Sequence, residues 1–378
     1  MKVLLIDPWG IANTSEYLNG LIFGLDKITN LTVYTNFYFS LKVDADAEIN
    51  RCFFHKSEHM KRGILRTVIR GFEYHLNYHR IISRIQREKF DVVHINWLLD
   101  YKTDIRFLRK IKKYTNKLVY TAHNVIPHEN GTKYIKDLRK IYDLCDSIIL
   151  HGDVIRDEFV SLYPEFSHKI YIQKHGSNLF PNTGYKIEAV PEYIIEKVNS
   201  YPRIGLFFGL IFYNKGIDRI IKLWDSSWKD CLLIVAGKHS GEYSELDVLN
   251  EKMRDQKNIL ELKGFVDDNT LNYLIDKSSF VLLPYRHASM SGVVFTASDF
   301  AKPIMATDTG SIKEYLSPPD DSIVVQNNDK ALEDGLNKML FLMTDDMLKK
   351  MGENLRCNIQ ASCAWDVVVA NMVKGCYV

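Results

Sequence analysis

The feature that most constrains this chain is an alternation. Short apolar runs recur between stretches long enough to form helices, and the whole pattern occurs twice. In the first half the opening Met1-Lys2-Val3-Leu4-Leu5-Ile6-Asp7 reads as a buried strand, and further runs follow at 31–35, 92–95, 118–121, 147–150 and 170–173. Strands alternating with helix-length segments in this way predict a parallel sheet covered by helices on both faces. Between them, 58–88 carries Ile64, Leu65, Val68, Ile69 and Phe72 at the three-to-four spacing of a helix. The pattern thins over 176–190, where Gly176-Ser177-Asn178, Pro181-Asn182-Thr183-Gly184 and the following Pro191 read as a linker. It restarts at 204–208, 232–236, 259–262, 280–283 and 304–306. Asp267-Asp268 ahead of Leu271 suits a helix N-terminus, where acidic groups meet the positive end of the dipole. A helical tail is expected from about residue 328. The fold class is α/β: two doubly wound Rossmann-like domains, over 1–185 and 190–358, facing each other across a cleft.

The length of 378 residues agrees with two domains. No apolar run approaches the roughly 20 residues needed to span a bilayer, and the opening strand is too short and too soon acidic for a signal peptide. Cys52, Cys145, Cys231, Cys357, Cys363 and Cys376 form no C-x-x-C pair. Their spacing fits neither a zinc site nor a dense disulfide framework, so a reducing cytoplasm is expected. The net charge of +2 is unevenly spread. Residues 1–195 hold 28 basic and 22 acidic residues, and 56–117 alone hold 16 basic and 6 acidic, a local net of +10. Such a patch suits an anionic surface: phospholipid, nucleic acid or a phosphorylated acceptor. A solvated helix face is the plainer alternative.

In open parallel sheets, ligands bind beyond the carboxyl ends of the strands, so the loops there are the places to search. Pro284-Tyr285-Arg286-His287-Ala288-Ser289-Met290-Ser291-Gly292 leaves a strand and enters a helix at Val293. Its small residues let backbone N–H groups approach an anion, and Arg286 adds a full charge. Gly205 to Gly216 also follows a strand and ends on Lys215-Gly216 before a helix. Lys215 is a candidate point charge for a phosphate, although the Walker spacing is absent. In the first domain, Thr121-Ala122-His123-Asn124-Val125-Ile126-Pro127-His128-Glu129 follows a strand. Its histidines are five apart rather than four, and Pro127 argues against a helical metal pair, so no metal is expected. A cleft-facing histidine bonding a polar ligand fits better, with His94-Ile95-Asn96-Trp97 beside it. Asp44-Ala45-Asp46 has the D-x-D form found in metal-dependent sugar transferases of another fold, without the flanking strand end. No G-x-G-x-x-G follows the first strand, and no G-x-S-x-G or nucleic-acid module is visible, which disfavours an oxidoreductase, a hydrolase and a nucleic-acid binder.

Taken in order, these loops resemble the GT-B glycosyltransferases, specifically the family-4-like bacterial transferases that build polysaccharide and lipopolysaccharide. Asp91 to Trp97 and Thr121 to His128 resemble the acceptor half. His175-Gly176 resembles the close of the first domain, and Phe208-Gly209-Leu210-Ile211 with Lys215-Gly216 the first donor loop. Pro284-Tyr285-Arg286 with Ser291-Gly292, then Ala301-Lys302-Pro303-Ile304 and Thr309-Gly310, resemble the donor strand, loop and helix. Trp365 resembles the aromatic of a C-terminal helix, here 360–378, that crosses back to the first domain. The resemblance implies that the first domain binds the acceptor and the second binds a nucleoside-diphosphate sugar, with transfer to a glycan or lipid-linked hydroxyl and no bound metal or other cofactor. His123 matches the histidine near the reacting centre. Gly209, Lys215, Arg286, Ser289, Ser291, Gly292 and Val293 are the donor-side positions. Trp9, Gly10, Asn96, Trp97 and Asn124 are those on the acceptor side of the cleft.

The chain departs from the family where two glutamates eight apart are usual: Ser289 and Ala297 stand there. The usual arginine of the first donor loop is replaced by Leu210 or Phe212, leaving Lys215 and Arg286 to meet the diphosphate. Retention is the family default; an inverting relative would need a carboxylate base such as Asp7, Asp153 or Glu129. A non-catalytic sugar-nucleotide-binding partner is the other reading. The basic patch is expected to suit an anionic inner-membrane surface, placing the protein in the cytoplasm, peripheral to the membrane. No nucleic-acid partner is expected.

Overall fold

The computed structural model describes residues 1–11, 14–125, 131–240, 244–247, 250–288 and 290–378. The chain divides into two compact units: Met1–Leu179 together with Ser362–Val378, and Phe180–Ala361. No described helix is long and apolar enough to cross a membrane.

The first unit is built on seven strands: β1 (Lys2–Asp7), β2 (Asn30–Asn36), β3 (Glu48–Phe53), β4 (Val92–Ile95), β5 (Lys117–Thr121), β6 (Ser147–Leu150) and β7 (Ile170–Ile172). They lie in the order β3-β2-β1-β4-β5-β6-β7, all parallel. Side chains of β1 alternate between two cores. Leu4 and Ile6 face Tyr78, Ile81 and the helices Tyr101–Ile111 and Ile135–Leu144. Val3 and Leu5 face the helix Ser15–Asp26 and the C-terminal helix Trp365–Met372. The indole of Trp365 fills the room left by Gly20 and Gly176, and its Nε1–H donates to the Ser177 carbonyl at 2.9 Å.

The second unit has six strands: β8 (Arg203–Phe208), β9 (Cys231–Gly237), β10 (Ile259–Lys263), β11 (Phe280–Leu283), β12 (Ile304–Thr307) and β13 (Ser322–Val325). Their order is β10-β9-β8-β11-β12-β13, again all parallel. In both sheets the first strand of the unit lies between its second and fourth. The connections on either side of it run in opposite directions, which opens a crevice at the carboxyl ends of β1 and β4, and of β8 and β11.

Most apolar runs fall on strands, and Asp267 does cap a helix, Asp268–Lys277, its carboxylate accepting from the Thr270 N–H at 3.0 Å. Three readings need correction. The edge strands β3 and β13 were not expected. The helix proposed over 58–88 begins at Ile64 (Ile64–Glu88). Its stripe Ile64, Leu65, Val68 and Phe72 faces solvent and Ile69 is only partly covered, whereas Tyr74, Tyr78, Ile81, Ile82 and Ile85 are buried. The cause is length. A 25-residue helix runs about 37 Å, whereas the three- to seven-residue strands run about 10–23 Å, so the sheet covers only the C-terminal half.

Candidate functional site

In the second unit, the loops after β8 and β11 are tied into one structure. The Arg286 N–H donates to the Asn214 carbonyl at 2.8 Å, and Arg286 Nη1 donates to the Tyr213 carbonyl at 2.9 Å. Gly216 holds φ +65°, and a Cβ there would stand 2.1 Å from the Pro284 carbonyl oxygen, so only glycine lets the two loops meet so closely. Tyr285 is buried, its hydroxyl 3.1 Å from Ser291 Oγ, while its carbonyl accepts from Thr307 Oγ1 at 2.6 Å. The Tyr285 ring is therefore a fixed floor.

Lys215 lies on that floor, its ammonium 3.8 Å from the ring centroid. It has no carboxylate or carbonyl partner among the described residues. Burial pushes its ammonium down to about 8. An ammonium held part-dry without a counter-ion is costly, and an anionic ligand removes the cost. Arg286 is placed differently. It forms a bidentate ion pair with Asp218, at 2.7 and 2.8 Å, and stacks on Tyr213 at 4.3 Å. Asp218 is fully buried and also accepts from Lys222 at 3.1 Å. Much of the Arg286 charge is thus spent on joining the loops. Gly209 lies at the end of β8 with φ +115°. Ser291, Gly292 and Val293 close the turn into the helix Val293–Asp299, the Val294 N–H donating to the Ser291 carbonyl at 3.1 Å and the Phe295 N–H to the Gly292 carbonyl at 3.1 Å. That helix has only seven residues, so the dipole expected of it is small. Ser289 lies outside the described residues.

In the first unit, three residues far apart in sequence form a line across the crevice of β1 and β4. Asp7, fully buried at the end of β1, accepts at Oδ1 from the N–H groups of Trp9 (2.9 Å) and Gly10 (3.0 Å). Its Oδ2 accepts from Asn96 Nδ2 at 2.7 Å. Asn96 Oδ1 then lies 3.1 Å from His123 Nε2. Because an amide oxygen only accepts, Nε2 carries the proton and Nδ1 is left as the acceptor. The Trp97 ring stacks on His123 with centroids 4.2 Å apart and an interplanar angle of 10°. Burial, with His151, His175 and His94 nearby, holds the His123 imidazole well below its usual value, so it stays neutral. Burial also raises the Asp7 carboxyl to about 6, against the lowering effect of its hydrogen bonds. Trp97 Nε1 is buried without an acceptor among the described residues. Asn124 is exposed beside His123.

The structure thus brings Trp9, Gly10, Asn96, Trp97 and His123 together in one unit, and Lys215, Arg286 and Ser291 in the other. Sequence reasoning missed Tyr17, His151 and Asp218. Tyr17 lies edge-on to His123 at 5.0 Å, to His151 at 5.4 Å and to Trp365 at 5.2 Å. A signal for His151 was available: a histidine follows each of β5, β6 and β7 within three residues (His123, His151, His175). Of the expected bases, Asp153 is an exposed residue paired with Arg156, and Glu129, like His128, lies outside the described residues. Among the described residues no cluster of His, Cys, Asp and Glu is arranged to hold a metal.

Residues 193–357 match the family described as Glycosyl transferases group 1. No curated protein matches the chain in sequence. Solved structures do match in fold. Sucrose-phosphate synthase from Thermosynechococcus elongatus aligns with a TM-score of 0.65 at 14% identity, covering 99% of this chain and 98% of that one. WaaG, a glycosyltransferase involved in lipopolysaccharide biosynthesis, aligns with a TM-score of 0.57 at 16% identity, covering 98% and 99%. Anabaena Alr3699/HepE in complex with UDP aligns with a TM-score of 0.61 at 11% identity, covering 99% of each chain.

Proposed function

We propose that the chain is a glycosyltransferase: residues 193–357 match the group 1 family, and the chain shares the GT-B fold of the enzymes it aligns with. We propose that it moves a sugar from a nucleoside-diphosphate sugar to a glycan or lipid-linked acceptor in bacterial surface polysaccharide assembly, at the cytoplasmic side of a membrane. The observation that carries this reading is Lys215: a part-buried cation on the Tyr285 ring, without an acidic partner among the described residues, at the crevice of β8 and β11. HepE holds UDP on the same fold, and WaaG acts in lipopolysaccharide biosynthesis.

Lys215 and the Ser291–Gly292 turn hold the diphosphate, and Arg286 keeps the two loops together while presenting the rest of its charge. These groups stabilise the negative charge that develops on the leaving diphosphate, and in this reading no resident metal is required. His123, neutral and locked by Trp97 and Asn96, accepts a sugar hydroxyl at Nδ1 and fixes the ring near the reacting carbon. Trp9, Gly10 and Asn124 lie on the acceptor side. Retention is favoured over inversion because Asp7, the carboxylate best placed in the first unit, has both oxygens committed to internal donors. Nucleoside diphosphate release from a panel of donors with lipid-linked and glycan acceptors tests the proposal. Turnover with one pair is the expected result. Tight nucleotide binding without release across the panel favours a non-catalytic binding partner instead.

A further inference from the structure

The helix Ile64–Glu88 leaves a side of its first half uncovered, and that side is apolar. Ile64 is 86% exposed, Leu65 66%, Val68 63% and Phe72 68%. Leu65, Val68, Phe72 and Leu76 follow at three-to-four spacing, so they form one stripe along about 17 Å of helix. The stripe continues over a groove of about 690 Å³ whose lining includes Phe37, His55, Val68, Phe72 and Leu76. Isolated apolar residues on a surface are ordinary, whereas a contiguous stripe of this kind marks a contact site.

The charges around it indicate what makes the contact. Glu58 is taken by Arg70 at 3.0 Å, with Arg66 at 3.8 Å. Glu73 accepts from the N–H groups of Lys56 and Ser57 and from Ser57 Oγ. Lys56, Lys61, Arg62 and Arg80 are exposed and have no acidic partner among the described residues. Arg66 and Arg70, which belong to the basic stretch 56–117, are turned inward: Arg66 Nε donates to the Ser57 carbonyl at 3.0 Å and Arg70 stacks on Phe54 at 3.6 Å. A second copy docking through the same patch would set these four cations against their own counterparts. An anionic phospholipid surface meets both features at once, as interfacial amphipathic helices do.

We infer that the first half of this helix lies in the interface of an anionic bilayer, with Leu65, Val68 and Phe72 among the acyl chains and Lys56, Lys61, Arg62 and Arg80 at the headgroups. The inference deepens the proposed lipid-linked acceptor, but its test needs no turnover. The full chain is sedimented with phosphatidylcholine vesicles containing or lacking about one third phosphatidylglycerol. Binding is expected only to the anionic vesicles. Leu65→Ser/Val68→Ser/Phe72→Ser, all at exposed positions, is expected to lose that binding, and Lys61→Gln/Arg62→Gln to weaken it about thirtyfold. Both variants are expected to bind UDP as the parent does, so failure here and failure of the donor site are read separately. Equal binding to neutral vesicles, no binding to either, or an apolar variant that still binds overturns the inference. So does a parent that dimerises through this stripe and ignores vesicles.

Discussion

Single side chains carry the sharpest consequences. Asp7 fixes Asn96 by accepting from its Nδ2, and Asn96 thereby presents an oxygen to His123 Nε2. In Asp7→Asn the new amide nitrogen meets the old one, Asn96 has to turn over, and His123 loses its acceptor. Transfer should slow at least about tenfold while nucleotide affinity is unchanged and the fold persists. Steady-state kinetics beside a UDP titration check this, and equal loss in both contradicts it. Lys215 makes a prediction in pH. Its folded value of about 8 lies below the ordinary 10.5, so the unfolded chain holds this proton more tightly. The burial penalty is full below pH 8 and fades as pH rises from 8 towards 10.5. Lys215→Met should therefore raise the urea midpoint at pH 7, by a margin that shrinks to nothing near pH 10.5. UDP affinity of the parent should fall in the alkaline range as the same proton leaves.

Elements show why some of the molecule was legible and some was not. β4, β6 and β11 matched their apolar runs because strands buried on both faces are mostly apolar, His94 and Ser147 being the polar exceptions in these three. β3 reads Glu-Ile-Asn-Arg-Cys-Phe and lies at a sheet edge, where charge is tolerated and the run disappears. The helix Ile64–Glu88 carries two apolar stripes, and periodicity reports a helix without saying which stripe the sheet covers. Packing between the helices Ser15–Asp26 and Trp365–Met372 is equally silent in sequence. A Cβ at Gly20 would lie 2.0 Å from the Trp365 ring, so Gly20→Ala should cost about 2 kcal/mol and lower the melting temperature by roughly 4–8 °C. An unchanged melting curve would mean that the indole moves freely. Asp218→Ala removes the ion pair between the β8 and β11 loops and takes from Arg286 its buried carboxylate. A loss of about 3 kcal/mol, with weaker UDP binding, is expected from denaturant unfolding and titration.

At the scale of the whole molecule, strand order creates the sites. Asp7 and Asn96 are 89 residues apart, and Arg286 and Asp218 are 68 apart. They meet only because β1 adjoins β4 and β8 adjoins β11, which no local spacing reveals. His123, Asn96, Lys215 and Arg286 were each visible as polar residues in loops after strands. Their partnerships, and the division of labour between a Lys215 without an acidic partner among the described residues and an Arg286 paired with Asp218, were not. Calorimetric titration of UDP and GDP into the parent and Lys215→Ala tests the central claim most directly. The account predicts that at least one of these nucleotides binds the parent, and that the variant binds it at least about tenfold more weakly. Equal affinities in parent and variant, or no binding of either nucleotide to the parent, would contradict it.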